Sequence, residues 1–215
     1  MTLPVTALLD WANLVGEFGT VAAEDRTHIE RLCKSASSFV ERYCHRVFSY
    51  DAAIVEYQAG YGTAHLVLER TPVKSITSIT VNGSTLSSSD YSIASADAGL
   101  IWASGGWPWT ALIRGGDIAG DGAPDSEEKS IVVTYKGGYV CPGQVTAGPP
   151  ALTRDLPDEI EDAVIQLVVA RFAGRGVDPR VQSEKTLSSS VSYFDREIPA
   201  MVASLLAPYR RLVQA

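Results

Sequence analysis

Cysteine is scarce in this chain: 215 residues hold three, Cys33, Cys44 and Cys141. An odd number cannot all pair within one chain, and none stands at a short metal-ligand spacing, which excludes a disulfide framework or a zinc knuckle as the basis of the fold. Cys33 and Cys44 would share one face of a helix, but at 1.5 Å per residue they lie about 16 Å apart, too far to share an ion. Histidine is equally sparse, with His28, His45 and His65, so the expectation is inert buried thiols in a reducing compartment, with no metal and no cofactor. Basic residues are outnumbered, 18 against 25 acidic, for a net charge of −7 and a pI near 5.0. That balance argues against a surface built to neutralise phosphates. No apolar run approaches the ~20 residues that span a bilayer, and Met1-Thr2-Leu3-Pro4-Val5 lacks a basic n-region; neither membrane insertion nor a signal peptide is expected. Also missing are an ordered Ser/His/Asp set and a Gly-Lys-Ser/Thr after a strand, so Gly115, Gly116, Gly120, Gly122 and the Ser188-Ser189-Ser190 run read as flexible loop. The chain reads as a non-enzyme.

What is present is a globular composition, 46% apolar and 20% charged, able to bury a core unaided. Over 24–46, Ile29, Leu32, Cys33, Ala36, Phe39, Val40, Tyr43 and Cys44 recur at spacings of three and one, which is a single helical stripe. A shorter apolar stretch at 5–15, broken by Asp10 and Asn13, predicts a brief helix ending near Gly16. After Val47 the period changes, and β-branched or aromatic segments at 52–57, 65–69, 73–81, 91–94, 100–102 and 130–135 predict short antiparallel strands. Alternation in 73–81 is interrupted by Ile76, and Asn82-Gly83 is a tight-turn signal because both residues tolerate positive φ. Residues 103–129 form a long Gly-rich loop, and 141–154 is a proline-containing linker. Leu156-Pro157-Asp158-Glu159-Ile160-Glu161-Asp162 opens a helix running to about Phe172, its carboxylates at the positive end of the dipole. The polar stretch 177–196 is a loose strand or hairpin, and Ile198 to Leu212 mark a last helix with Pro199 in its first turn. The fold class is therefore α+β: a small core of about four helices with an inserted antiparallel sandwich or barrel-like unit. It is divided as 1–50, 51–140 and 141–215, and counts as one domain with an insertion.

The order of these pieces carries further information. A helix ending Phe39-Val40-Glu41-Arg42-Tyr43 is followed by Leu66, Leu68, Pro72, Val73, Ser75, Ile76, Ser78, Ile79, Val81 and Gly83 in one continuous pattern. Then come Asp90-Tyr91-x-Ile93, Gly99-Leu100-Ile101, Val132-Val133-Thr134-Tyr135-Lys136-Gly137-Gly138-Tyr139, Leu156-Pro157-x-x-Ile160-x-x-Ala163 and Leu205-Leu206-x-Pro208-Tyr209-Arg210. The sequence from about 24 to 212 resembles the head-to-tail connector, or adaptor, proteins of tailed bacteriophages and gene-transfer particles. The resemblance implies a structural virion protein that assembles with itself as a ring, typically of twelve subunits, on the portal protein. It implies that DNA passes through the lumen without sequence-specific binding, and that the next neck or tail protein, a stopper or tail terminator, docks beneath. The chain departs from smaller members of that family in the size of its β insertion.

Candidate interface residues follow. Trp107 and Trp109 in the Gly-rich loop either cover the β unit's own core or face a partner, since aromatic residues anchor interfaces. A competing function, a β-sandwich module binding carbohydrate or protein, would use the same two tryptophans. Arg171, Arg175, Arg180 and Arg196 surround the polar connection, solvated, paired with acids or contacting a subunit or portal. Tyr209 and Arg210 close the last motif.

Overall fold

The computed structural model describes residues 3–4, 6–19, 21–109, 130–147, 151–174, 183–186, 189–192 and 198–211, those of 183–192 by backbone alone. Two compact units share the chain: residues 1–49 with 140–215, and residues 50–139.

The first unit is helical. Helix α1 (Trp11–Phe18) starts later than its sequence predicts and runs through Gly16, because Asp10 caps it: the carboxylate accepts from Ala12 N–H at 3.0 Å. Gly19, at φ 69°, ends it. Helix α2 (Arg26–Cys44) buries Ile29, Cys33, Ala36, Val40 and Cys44 of the expected stripe and also Ser37, with Leu32 half-buried. Phe39 and Tyr43 lie at the stripe's margin, half-buried. His45 stops the helix in the left-handed region, its N–H bonded to the Arg42 carbonyl while Arg46 N–H reaches that of Glu41. Helix α3 (Asp158–Ala173) packs on α2, on α1 and on α4 (Ala200–Leu206). The last helix is shorter than predicted: a 3₁₀ turn, Ala207–Tyr209, replaces its continuation, since Pro208 has no N–H to offer the ladder. The polar connection contributes a hairpin, β8 (Ser183–Thr186) with β9 (Ser189–Ser192), in register from Ser183↔Ser192 to Thr186↔Ser189.

The second unit is antiparallel β throughout. Strands β1 (Asp51–Gln58), β7 (Ile131–Gly137), β3 (Val73–Val81) and β4 (Ser84–Thr85) form one sheet in the order β1-β7-β3-β4. Strands β2 (His65–Val67), β6 (Leu100–Ala103) and β5 (Tyr91–Ser95) form another in the order β2-β6-β5. One core joins them: Leu66, Leu68, Val73, Ile79, Ile101, Ala103, Trp107, Ile131, Val133 and Tyr135. The arrangement is two open sheets about a shared interior, and no closed barrel forms among the described residues.

Strand β3 explains its own broken alternation. Register shifts fall between Val73 and Ser75 and between Ile76 and Ser78. Each bulge adds a residue and resets the phase, so Val73, Ile76, Ile79 and Val81 face Gly137, Tyr135, Val133 and Ile131 in turn. Ile76 thus packs against the core rather than interrupting it. The turn to β4 places Asn82 at φ 49° and Gly83 at φ 78°, with Val81 opposite Ser84, a two-residue hairpin of the expected kind. Strand β2 stops at Val67, two residues short of expectation. The N–H groups of Glu69 and Arg70 are taken by the Glu56 carboxylate instead, at 2.9 and 3.2 Å, which turns the chain away from the ladder.

Candidate functional site

The two tryptophans part company. Trp107 is 2% exposed in the β core, its indole N–H donating to the Ile101 carbonyl at 3.2 Å. Trp109 is 58% exposed and meets Tyr61, itself 59% exposed, edge to face at 6.1 Å. Pairing of Tyr61 with Trp109 sets this up, and so does Gly60, whose missing Cβ would fall 1.9 Å from the Pro108 carbonyl oxygen. A platform of two neighbouring indoles is therefore not formed; the exposed aromatic surface is Tyr61 with Trp109.

The arginines behave differently. Arg171, from α3, lies over the Phe39 ring with its guanidinium carbon 5.2 Å from the centroid, and Arg42 lies over the same ring at 5.7 Å. Phe39 stacks on Tyr43 at 6.5 Å with 11° between planes, and Arg210 lies over Tyr43 at 5.3 Å. Arg171 also donates from Nη1 to Ser35 Oγ at 3.1 Å. Burial, then the neighbouring charge of Arg42, holds the Arg171 pKa below its usual range. Two of the predicted residues, Arg171 and Arg210, are thus joined through an aromatic stack on α2. Phe39, Arg42 and Tyr43 are not among the interface residues expected from sequence. Their spacing of three and four, projecting one helix edge beside the core stripe, was the available signal. Tyr209 packs edge to face on Phe48 at 6.5 Å and donates to Glu159 at 3.1 Å, tying the 3₁₀ turn to α3. Arg175, Arg180 and Arg196 lie outside the described residues.

Two carboxylates organise the units internally. Glu161, expected to serve the α3 dipole, is 3% exposed. It accepts from Asp10 N–H at 2.5 Å and Asn13 at 3.1 Å, and pairs with Arg154 at 2.6 Å, fastening α1 to α3. Glu56 binds the Glu69 and Arg70 N–H groups and accepts from the Tyr135 hydroxyl, whose pKa is pushed up, by burial first and by that hydrogen bond second. The thiols are buried and pushed up by desolvation, Cys33 and Cys141 to about 12 and Cys44 to about 11. Among the described residues no three His, Cys, Asp or Glu side chains are grouped so as to hold a metal ion. A shallow hollow lined by Glu17, Asp162, Ile165, Gln166, Val169 and Ala170 lies between α1 and α3 and brings no nucleophile to the carboxylates. No helix among the described residues is long and apolar enough to cross a membrane.

Solved structures share this fold over the whole chain. A chain in the neck of a native gene transfer agent particle, computed with C12 symmetry, aligns over 100% of this chain and 94% of its own, at 14% identity and a TM-score of 0.50. A chain in the neck of an empty particle, computed with C6 symmetry, and one in the native virion each align over 100% and 95%, at 14% identity and a TM-score of 0.53. The likeness is one of fold. No family model matches the chain, and no curated protein does.

Proposed function

We propose that the protein is a non-enzymatic head-to-tail adaptor of a phage-like particle: it forms a ring on the portal, extends the DNA channel and carries the next neck or tail protein. The observation that carries this reading is the end-to-end alignment with particle-neck chains, reached from a chain whose ordered motifs pointed the same way. The C12 and C6 symmetries used for those necks support a homo-oligomeric ring. A net charge of −7 supports a channel wall that DNA slides past, since like charge prevents sticking. The mechanism is symmetry and complementarity: modest contacts repeat around a closed ring, and each added contact becomes intramolecular once neighbours are in place. The experiment is co-purification. Tagged protein is expected to enrich a portal complex, and mass spectrometry of purified particles to find the chain in stoichiometric amount. Absence from both refutes the role.

A further inference from the structure

Guanidinium groups in a folded protein normally end up opposite carboxylates, and this chain has them in surplus, 25 acidic residues against 18 basic. Yet among the described residues no carboxylate pairs with Arg42, Arg171 or Arg210, whereas Arg70 pairs with Asp51 and Arg154 with Asp158 and Glu161. What holds the three is aromatic. Arg42 and Arg171 flank the Phe39 ring and Arg210 covers Tyr43, which stacks on Phe39. Held over a ring, a guanidinium loses rotamer freedom while keeping N–H donors to offer, even in Arg171, where one N–H goes to Ser35, so part of the ordering cost of a carboxylate contact is met in advance. Two like charges about one ring repel each other, and Arg171 shows it, its proton affinity reduced by burial and by Arg42. An anion placed among them relieves that repulsion.

We infer that Arg42, Arg171 and Arg210 form a docking site for carboxylates of a second copy of this chain, and so mark one side of the subunit contact in the ring; the inference rests on the ring reading above. Charge selects the occupant. A patch built of cations and rings cannot meet its own copy across a twofold axis, because like would face like. The patch therefore meets a different, acidic surface of its neighbour, which in the ring reading is a heterologous, head-to-tail contact repeated around the axis. The acidic complement is abundant on the chain itself: residues 51–150 carry ten acidic against five basic side chains, and Asp97 stands exposed in the turn between β5 and β6. A nucleic acid would bring phosphates to the same arginines, but it would meet the negative field of the rest of the molecule.

Sedimentation velocity of the full chain, at rising concentration in low and high salt, reads the contact. The wild type is expected to self-associate in low salt and to dissociate in high salt. Arg42→Gln/Arg171→Gln is expected to associate at least ~10-fold more weakly, with circular dichroism and melting temperature unchanged. Arg171→Lys, which keeps the charge and loses the flat fork, is expected to fall between them and stands in if the double variant folds poorly. Unaltered association of the double variant overturns the site and leaves the ring reading standing. A wild type that stays monomeric at every concentration and salt also overturns it, and the ring reading then rests on particle co-purification. If the wild type binds a short DNA duplex and the double variant does not, the occupant is phosphate and the inference fails.

Discussion

At the scale of single residues, chemistry is spent on holding the protein together. Trp107 fills the β core and Trp109 lies on the surface two residues later, so the same substitution should have very unequal costs. Trp107→Ala is expected to cost about 3–5 kcal/mol by urea denaturation, the usual range for emptying an aromatic site in a core. Trp109→Ala should cost about 0.5–1 kcal/mol, the lower part of the range for an edge-to-face pair. Glu161→Ala removes the acceptor for Asp10 N–H and Asn13 and the buried partner of Arg154; a loss of about 2 kcal/mol is expected, with α1 the first element to lose amide protection in hydrogen exchange. The thiols give a pH signature. Their folded pKa values, about 11 to 12, lie above the ordinary 9.0. Between those limits the unfolded chain has released protons that the folded chain retains, so stability is full below pH 9 and falls as pH rises toward 12. Thermal melts across that interval should decline, and a thiol reagent at pH 8 should label Cys33, Cys44 and Cys141 only after unfolding.

At the scale of elements, what the sequence disclosed depended on whether periodicity or a single contact decided the outcome. The α2 stripe from Ile29 to Cys44 was legible because several apolar positions repeat at one angle, and the Asn82-Gly83 hairpin because two positive-φ residues stand together. Strand β3 was legible as a strand but not in phase: its bulges move Ile76 inward, and nothing in the local sequence marks an inserted residue until its partner strand β7 is known. Ile76→Ser should therefore destabilise by about 2 kcal/mol, as a core position does, while Thr77→Ser is nearly neutral. Gly83→Val, at φ 78°, should weaken the unit by about 1–2 kcal/mol through backbone strain alone. Element ends were less legible. Asp10 reads as a breaker in sequence and acts as a cap in the fold. Strand β2 ends early because Glu56, on another strand, captures two N–H groups. The candidate site follows the same rule: Arg171 and Arg210 were visible as charges, but that Phe39 and Tyr43 hold them near one another, and bring Arg42 into the group, is a tertiary fact.

At the scale of the whole molecule, two compact units built from one chain, helical and β, reproduce a fold found in gene transfer agent necks at 14% identity. Likeness of shape at that identity is understandable from packing, because apolar size and pattern can be kept by many sequences. The claim that most needs testing is placement. Cryo-electron microscopy of particle necks assembled in the presence of this chain decides it. The account predicts a closed ring of this fold directly beneath the portal, with the Phe39, Arg42 and Arg171 cluster of each copy facing acidic density of its neighbour. A neck complete without this chain, or density for it elsewhere in the particle, would contradict the account.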